Sequence, residues 1–152
     1  MQNSLPKLNF PAINLRLRRS EGSIQLFDQL RRIYIVLTPE EWVRRHLIAL
    51  LIERLSVPPA QIVLEYPVPL NGQRQRADLV VVANDGSPRL LCECKAADVK
   101  ISQSTLDQAV RYNSVLQARY LFLTNGLNHY LYERLDNEGG YRSLSSLDEV
   151  EI

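Results

Sequence analysis

The sequence predicts an α/β fold: a mixed β-sheet flanked by helices, in the order α-β-β-β-α-β. Three observations predict it. A strongly capped, apolar helix pattern begins at Thr38. Three strand-like segments separated by turn signals follow between residues 61 and 95. A second capped helix then precedes further strand-like segments, where it can serve as the crossover of a parallel pair.

Residues 1–12, with Pro6 and Pro11, read as a tail, and residues 14–19 and 23–27 can pair as a hairpin about Glu21-Gly22. Thr38 suits a helix N-cap, Pro39 the first helical position, and Glu41 the third position of a capping box. That helix is expected to run to about Leu55, ahead of Pro58-Pro59. Val43, Leu47, Leu50 and Leu51 fall on one face, and Trp42, Ile48 and Ile52 widen it, so the helix should be substantially buried. Residues 61–66 lead toward Asn71-Gly72, a hairpin turn pair. Residues 75–83 lead through Asn84-Asp85-Gly86-Ser87 into residues 89–95. Ser102 or Ser104 caps the second helix, which ends near Leu116. Residues 119–124 and 128–134 flank Asn125-Gly126 as another hairpin.

The 152 residues suffice for one domain, read as residues 1–152 with its core at about 30–135. The longest purely apolar run, residues 47–52, is far too short to cross a bilayer, so no membrane association is expected. No apolar stretch follows a basic start, which points to the cytoplasm. Cys92 and Cys94 would point the same way from a strand, with Glu93 between them facing the opposite side. No second cysteine pair or histidine cluster completes a zinc site, so they read as buried thiols in a reducing compartment. His46 reads as helix packing and His129 as a surface strand residue. Net charge is only +1, but residues 1–76 hold 11 basic and 6 acidic side chains, and residues 77–152 hold 7 and 11. The arginines at 16, 18, 19, 31, 32, 44, 45, 74 and 76 are either solvated faces or a phosphate-tracking surface.

The central hairpin carries the chemistry. With Asp85-Gly86 as a two-residue turn, or residues 84–87 as a four-residue loop, Asp78 falls opposite Glu93 and Arg76 opposite Lys95. Alternation then places Asp78, Glu93 and Lys95 on one face. Opposed Cβ atoms sit roughly 4.5–5.5 Å apart, where two carboxylates repel. Such a pair in an otherwise apolar stretch gains nothing structurally unless a cation sits between the acids. Oxygen ligands near phosphate suit Mg²⁺ or Mn²⁺. Lys95, one side chain further along, can stabilise a metal-bound hydroxide or the charge developing on a phosphate. The structural alternative is a buried Asp–Lys or Glu–Arg pair.

These residues also carry a resemblance. Ala77-Asp78, followed after fourteen residues by Glu93-Cys94-Lys95, resembles the PD-(D/E)xK nuclease motif, with Ala77 where the motif has Pro. Residues 76–80 (Arg-Ala-Asp-Leu-Val), 91–96 (Leu-Cys-Glu-Cys-Lys-Ala), 108–113 (Gln-Ala-Val-Arg-Tyr-Asn) and 123–126 (Leu-Thr-Asn-Gly) resemble the N-terminal nuclease domain of type I restriction enzyme R subunits. They are particularly similar to its small stand-alone relatives, as is the helix opening at residues 38–44. The resemblance covers about residues 30–135 and implies a restriction-endonuclease-like core. It implies Asp78 and Glu93 as metal ligands with the Cys94 backbone carbonyl, and Lys95 as the group assisting the attacking water. Gln108 and Tyr112, four apart on one helix face, would order substrate and site groups. Some nucleases of this fold draw a further ligand from the first helix, which makes Glu41 a candidate, although the capping box already accounts for it. The expectation is a metal-dependent nuclease acting on nucleic acid, DNA above all, as a homodimer or with partner subunits of a restriction or defence system. The alternative is a non-catalytic nuclease-fold module for DNA binding or assembly. No phosphate-loop motif is present, so the chain is not a whole motor subunit.

Overall fold

The computed structural model describes residues 5–136 and 139–152. Strands β1 (Leu17–Ser20), β2 (Ser23–Asp28) and β3 (Ile33–Val36) form a small antiparallel sheet. Helix α1 (Pro39–Arg54) follows, then β4 (Ile62–Leu70), β5 (Gln73–Val82) and β6 (Pro88–Cys94), helix α2 (Gln103–Leu116), and β7 (Tyr120–Thr124), β8 (His129–Arg134) and β9 (Tyr141–Leu144). The six later strands form one sheet in the order β4-β5-β6-β7-β8-β9. Only β6 and β7 run parallel, and α2 is the crossover between them. The expected order of helix, three strands, helix and two strands is therefore observed, with β9 added at the edge.

The sheet lies between the two helices. Leu79, Val81, Leu90, Cys92 and Cys94 pack with Val43, Leu47, Ile48 and Leu51 of α1. Val80, Leu91, Leu121 and Leu123 pack with Ala109 and Tyr112 of α2. Both cysteines are free and buried on the α1 side, as their spacing requires.

Helix α1 starts where the sequence places it, since Thr38 accepts from the Glu41 amide at 3.1 Å. The glutamate does not return to Thr38; it pairs with Arg44 and Arg45 instead. The helix is buried almost all round, including Arg44, Arg45 and His46. The small N-terminal sheet is the reason, for Asp28 at the end of β2 is fully buried against Arg45. Its first hairpin turns at Glu21-Gly22, both at positive φ. Neither β3 nor β9 is among the expected elements. Strand β4 passes through Pro67 and Pro69, which an edge strand tolerates because one side of it needs no N–H donors.

Residues 5–12 do not behave as a loose tail. Leu8 is buried over Gly126, whose φ of 86° and lack of a Cβ admit it. The Asn9 amide donates to the Gly126 carbonyl at 2.7 Å, and the Trp42 indole donates to the Pro6 carbonyl at 2.8 Å. His46 packs edge-on to Trp42, and exposed His129 faces the Asn9 carbonyl at 2.9 Å. Among the described residues no helix is long and apolar enough to cross a membrane.

Candidate metal and nucleic-acid site

The central hairpin keeps the expected register by a different route. Leu79 faces Cys92, Val80 faces Leu91 and Val81 faces Leu90, as a direct two-residue turn would give. The chain instead closes a three-residue loop, with Ala83 bonded to Ser87 at 2.8 Å and Gly86 at φ 85°. That loop alone would shift the pairing by one residue. A bulge between Val81 and Val82 leaves Arg89 as the extra residue on β6 and restores it.

At Asp78 the ladder is interrupted on the β4 side and has ended on the β6 side. On β4, Glu65 adopts φ 53° between the Leu64–Leu79 and Tyr66–Ala77 pairs. On β6, pairing ends at Cys92. Alternation also breaks here, since Ala77 packs on the α2 side while Leu79 packs on the α1 side. Asp78 is thereby released from the pleat, and its Oδ2 accepts from the Cys94 amide at 2.8 Å. The Cys94 N–H is turned toward β5, and the carbonyl of an extended residue leaves the strand on the same side as its N–H. The expected opposition of Arg76 and Lys95 does not form. Arg76 pairs with Pro67 of β4 and reaches Glu65, while the Lys95 amide bonds Thr124 of β7. The strands have already parted, because a side chain, not a backbone group, bridges them at Asp78.

Asp78 and Glu93 are brought together. Glu93 is 6% exposed, and its Oε1 has no hydrogen-bond partner. Burial first and the Asp78 carboxylate next push the Glu93 carboxyl up to about 9, against the pull of Lys95 and the Asp78 backbone amide. Two acids share a space in which only one readily ionises. The orphaned, buried oxygen beside a second carboxylate is what an oxygen-binding divalent ion would satisfy, so this donor set fits Mg²⁺ or Mn²⁺. Among the described residues no cluster of three His, Cys, Asp or Glu side chains forms around an ion-sized space.

The family described as Type I restriction enzyme R protein N terminus matches residues 39–147. The chain belongs to this family. The match spans α1, α2 and all six strands of the larger sheet, which are the elements of a restriction-endonuclease-like fold, and leaves out the small N-terminal sheet. No curated protein matches the chain.

Within this restriction-enzyme R-protein domain, the other expected residues are placed as follows. Tyr112 is buried and feels the charges of Glu93 and Asp78, which together with burial raise its phenol above the usual range. Gln108 donates to the Tyr112 hydroxyl at 2.9 Å, and that hydroxyl donates to Gln75 Oε1 at 3.3 Å. Gln75 is a residue sequence reasoning missed, since it lies in a polar stretch at the start of β5 with no motif around it. The first-helix candidate, Glu41, is engaged by neighbouring arginines, pairing with Arg44 and Arg45 at 3.0 Å each. Glu40 instead lies within the electrostatic reach of Asp78 and Lys95, and burial and Asp78 raise its carboxyl. The signal was present: Glu40 extends the 43–47–51 stripe one turn toward the N-terminus, so it is the acid on the sheet-facing side.

A line of alternating charges holds Asp78 from behind. It runs from Asp28 to Arg45 at 3.0 Å, on to Glu41 at 3.0 Å, then to Arg44 at 3.0 Å, with Asp78 Oδ1 4.0 Å from Arg44. Such a chain contributes orientation more surely than net stability.

The raised Glu93 carboxyl gives metal-free protein a pH signature. Its folded-state pKa lies above the unfolded value, so stability is fully present below about 4.5 and is lost as pH rises toward about 9. In chelator, the melting temperature should fall between pH 5 and 8.5, at a rate for this one proton of at most about 1.4 kcal/mol per pH unit. Glu93→Gln should flatten that slope in parallel melts. An unchanged slope in the variant would exclude Glu93 as its source.

Proposed function

We propose that the protein is a Mg²⁺- or Mn²⁺-dependent nuclease that hydrolyses phosphodiester bonds in DNA. On this reading it works in the cytoplasm, as a homodimer or with partner subunits of a restriction or defence system. The observation that carries the reading is the buried, unpartnered Glu93 oxygen set against Asp78. Leaving such a group without a partner costs stability in an apolar strand, and function is the usual reason for keeping it.

Asp78 and Glu93 would hold the ion, with the Cys94 carbonyl as a third oxygen. Glu40, in place of Glu41, is the first-helix acid positioned to add to the set. When bound, the ion would supply Lewis-acid polarisation of the phosphate and a more acidic attacking water. Lys95 follows Glu93 on the same face of the extended chain. Its ammonium would steady the attacking water and the charge growing on the phosphate. Tyr112, fixed between Gln108 and Gln75, would order the α2 side of the site. Arg44 would keep Asp78 turned toward the Cys94 amide.

The reading as a non-catalytic DNA-binding or assembly module is favoured by one observation, the lack of a three-residue ligand cluster among the described residues. Incubation with supercoiled and linear DNA decides between them. Nicking or degradation in Mg²⁺ or Mn²⁺, stopped by chelator, is expected. Binding without cleavage of every DNA and RNA form tried would leave the module reading.

A further inference from the structure

The N-terminal sheet lies outside the family match and outside the candidate catalytic residues. Leu26 and Asp28 face inward from it and are fully buried. The opposite face carries Arg18 across from Gln25, and Phe27 across from Tyr34. The Arg18 guanidinium lies 3.8 Å from the centre of the Tyr34 ring, and its Nε donates to Gln25 at 2.8 Å. Arg16 lies 5.0 Å from the Phe27 ring centre and 5.9 Å from that of Tyr34. The two rings meet edge to face at 5.3 Å. Both arginines are exposed, and among the described residues neither pairs with a carboxylate.

This combination has a physical meaning. A guanidinium stacked on a ring has lost much of its rotational freedom before any partner arrives, and its outward N–H groups still lack acceptors. Unpaired, pre-oriented arginines suit phosphate oxygens, which accept in the planar geometry that the fork presents. The same sheet is tied to the site. Arg31, just after β2, and Arg76, two residues before Asp78, lie 4.0 and 3.9 Å from one oxygen of Glu65. A line of paired charges therefore links the small sheet to the strand bearing Asp78.

We propose that the outer face of the N-terminal sheet is a docking surface for the sugar-phosphate backbone of DNA flanking the cleavage point, with Arg16 and Arg18 as its phosphate contacts. The proposal rests on DNA being the substrate, but its test does not need cleavage. Binding of a fluorescent 20-base-pair duplex is measured by anisotropy in chelator over a range of salt. Arg16→Gln/Arg18→Gln should weaken binding on the order of tenfold and lower the salt slope by about 1.8, from about 0.9 per phosphate contact. Arg142→Gln removes a charge at the far edge of the large sheet and should leave the slope unchanged. Tyr34→Leu keeps both charges but removes the platform, and should weaken binding with the slope retained. Melting curves confirm that each variant is folded. The proposal is overturned if the double variant keeps wild-type affinity and slope, or if wild type does not bind the duplex. Wild-type cleavage with an unaltered slope in the double variant would remove the docking face and leave the nuclease reading standing. A reduced slope without any cleavage would do the reverse.

Discussion

Lys95→Ala is expected to lower divalent-dependent DNA cleavage by on the order of 10²–10⁴-fold while leaving metal binding in place. Lys95 is half-buried, lies beyond the end of β6, and is held extended by its amide bond to Thr124. Its ammonium opposes the rise of the Glu93 carboxyl, so it sits within charge range of the acid pair without being a ligand to a cation. Its removal should therefore weaken stabilisation of the reacting groups and spare the ion. Two measurements separate these effects. Single-turnover cleavage reads the chemical step, and the Mg²⁺-induced rise in melting temperature reads ion binding. Loss of the first with the second retained is the expected pattern. Equal cleavage by wild type and Lys95→Ala would remove Lys95 from the mechanism. Loss of Mg²⁺ protection as well would show that it supports the ion site itself.

Asp78→Asn should lose both cleavage and Mg²⁺ protection, yet melt at or above wild type in chelator. The geometry gives the reason. The asparagine oxygen can still accept the Cys94 amide that Asp78 accepts at 2.8 Å. Its new NH₂ group can donate toward Glu93, whose Oε1 lacks a partner. Arg44 keeps Glu41 at 3.0 Å and Glu40 at 3.4 Å, so no buried cation is stranded. Removing the Asp78 charge then lowers the cost of ionising buried Glu93 and so relieves the metal-free fold, the usual relation between an active site and stability. For wild type, a tenfold excess of Mg²⁺ over its dissociation constant should add about 1.4 kcal/mol. In a chain of this size that is a rise of about 4 °C. The variant should show almost none. A structural Asp78, serving only as the partner of Arg44, gives the opposite result: Asp78→Asn melts well below wild type in chelator, and Mg²⁺ moves neither protein. Thermal melts of both proteins, with and without the ion, are sufficient.

The sequence by itself determined the elements whose signals are local. Thr38, Pro39 and the 43–47–51 stripe define α1, and turn residues delimit β5, β6, β7 and β8. It also determined the Leu79–Cys92 pairing, which follows from one hairpin register, and this brings Asp78 and Glu93 to the same end of the hairpin. Only the tertiary structure decided how they meet. The three-residue loop and the bulge at Val81/Val82 cancel in register, so the sequence sum was right for a turn that does not exist. The break at Asp78 depends on Glu65 from a different strand, and no pattern within residues 75–95 reports it. Glu40 and Glu41 differ by one position on a helix, and the capping pattern at Thr38 does not report that Arg44 and Arg45 compete for the Glu41 carboxylate. Nor could spacing separate Arg44 and Arg45, buried behind Asp78, from Arg16 and Arg18, exposed on rings. Charge is read along the chain, but its partner is chosen in space: a guanidinium's role is set by which carboxylate or aromatic ring the packed elements bring within about 4–6 Å.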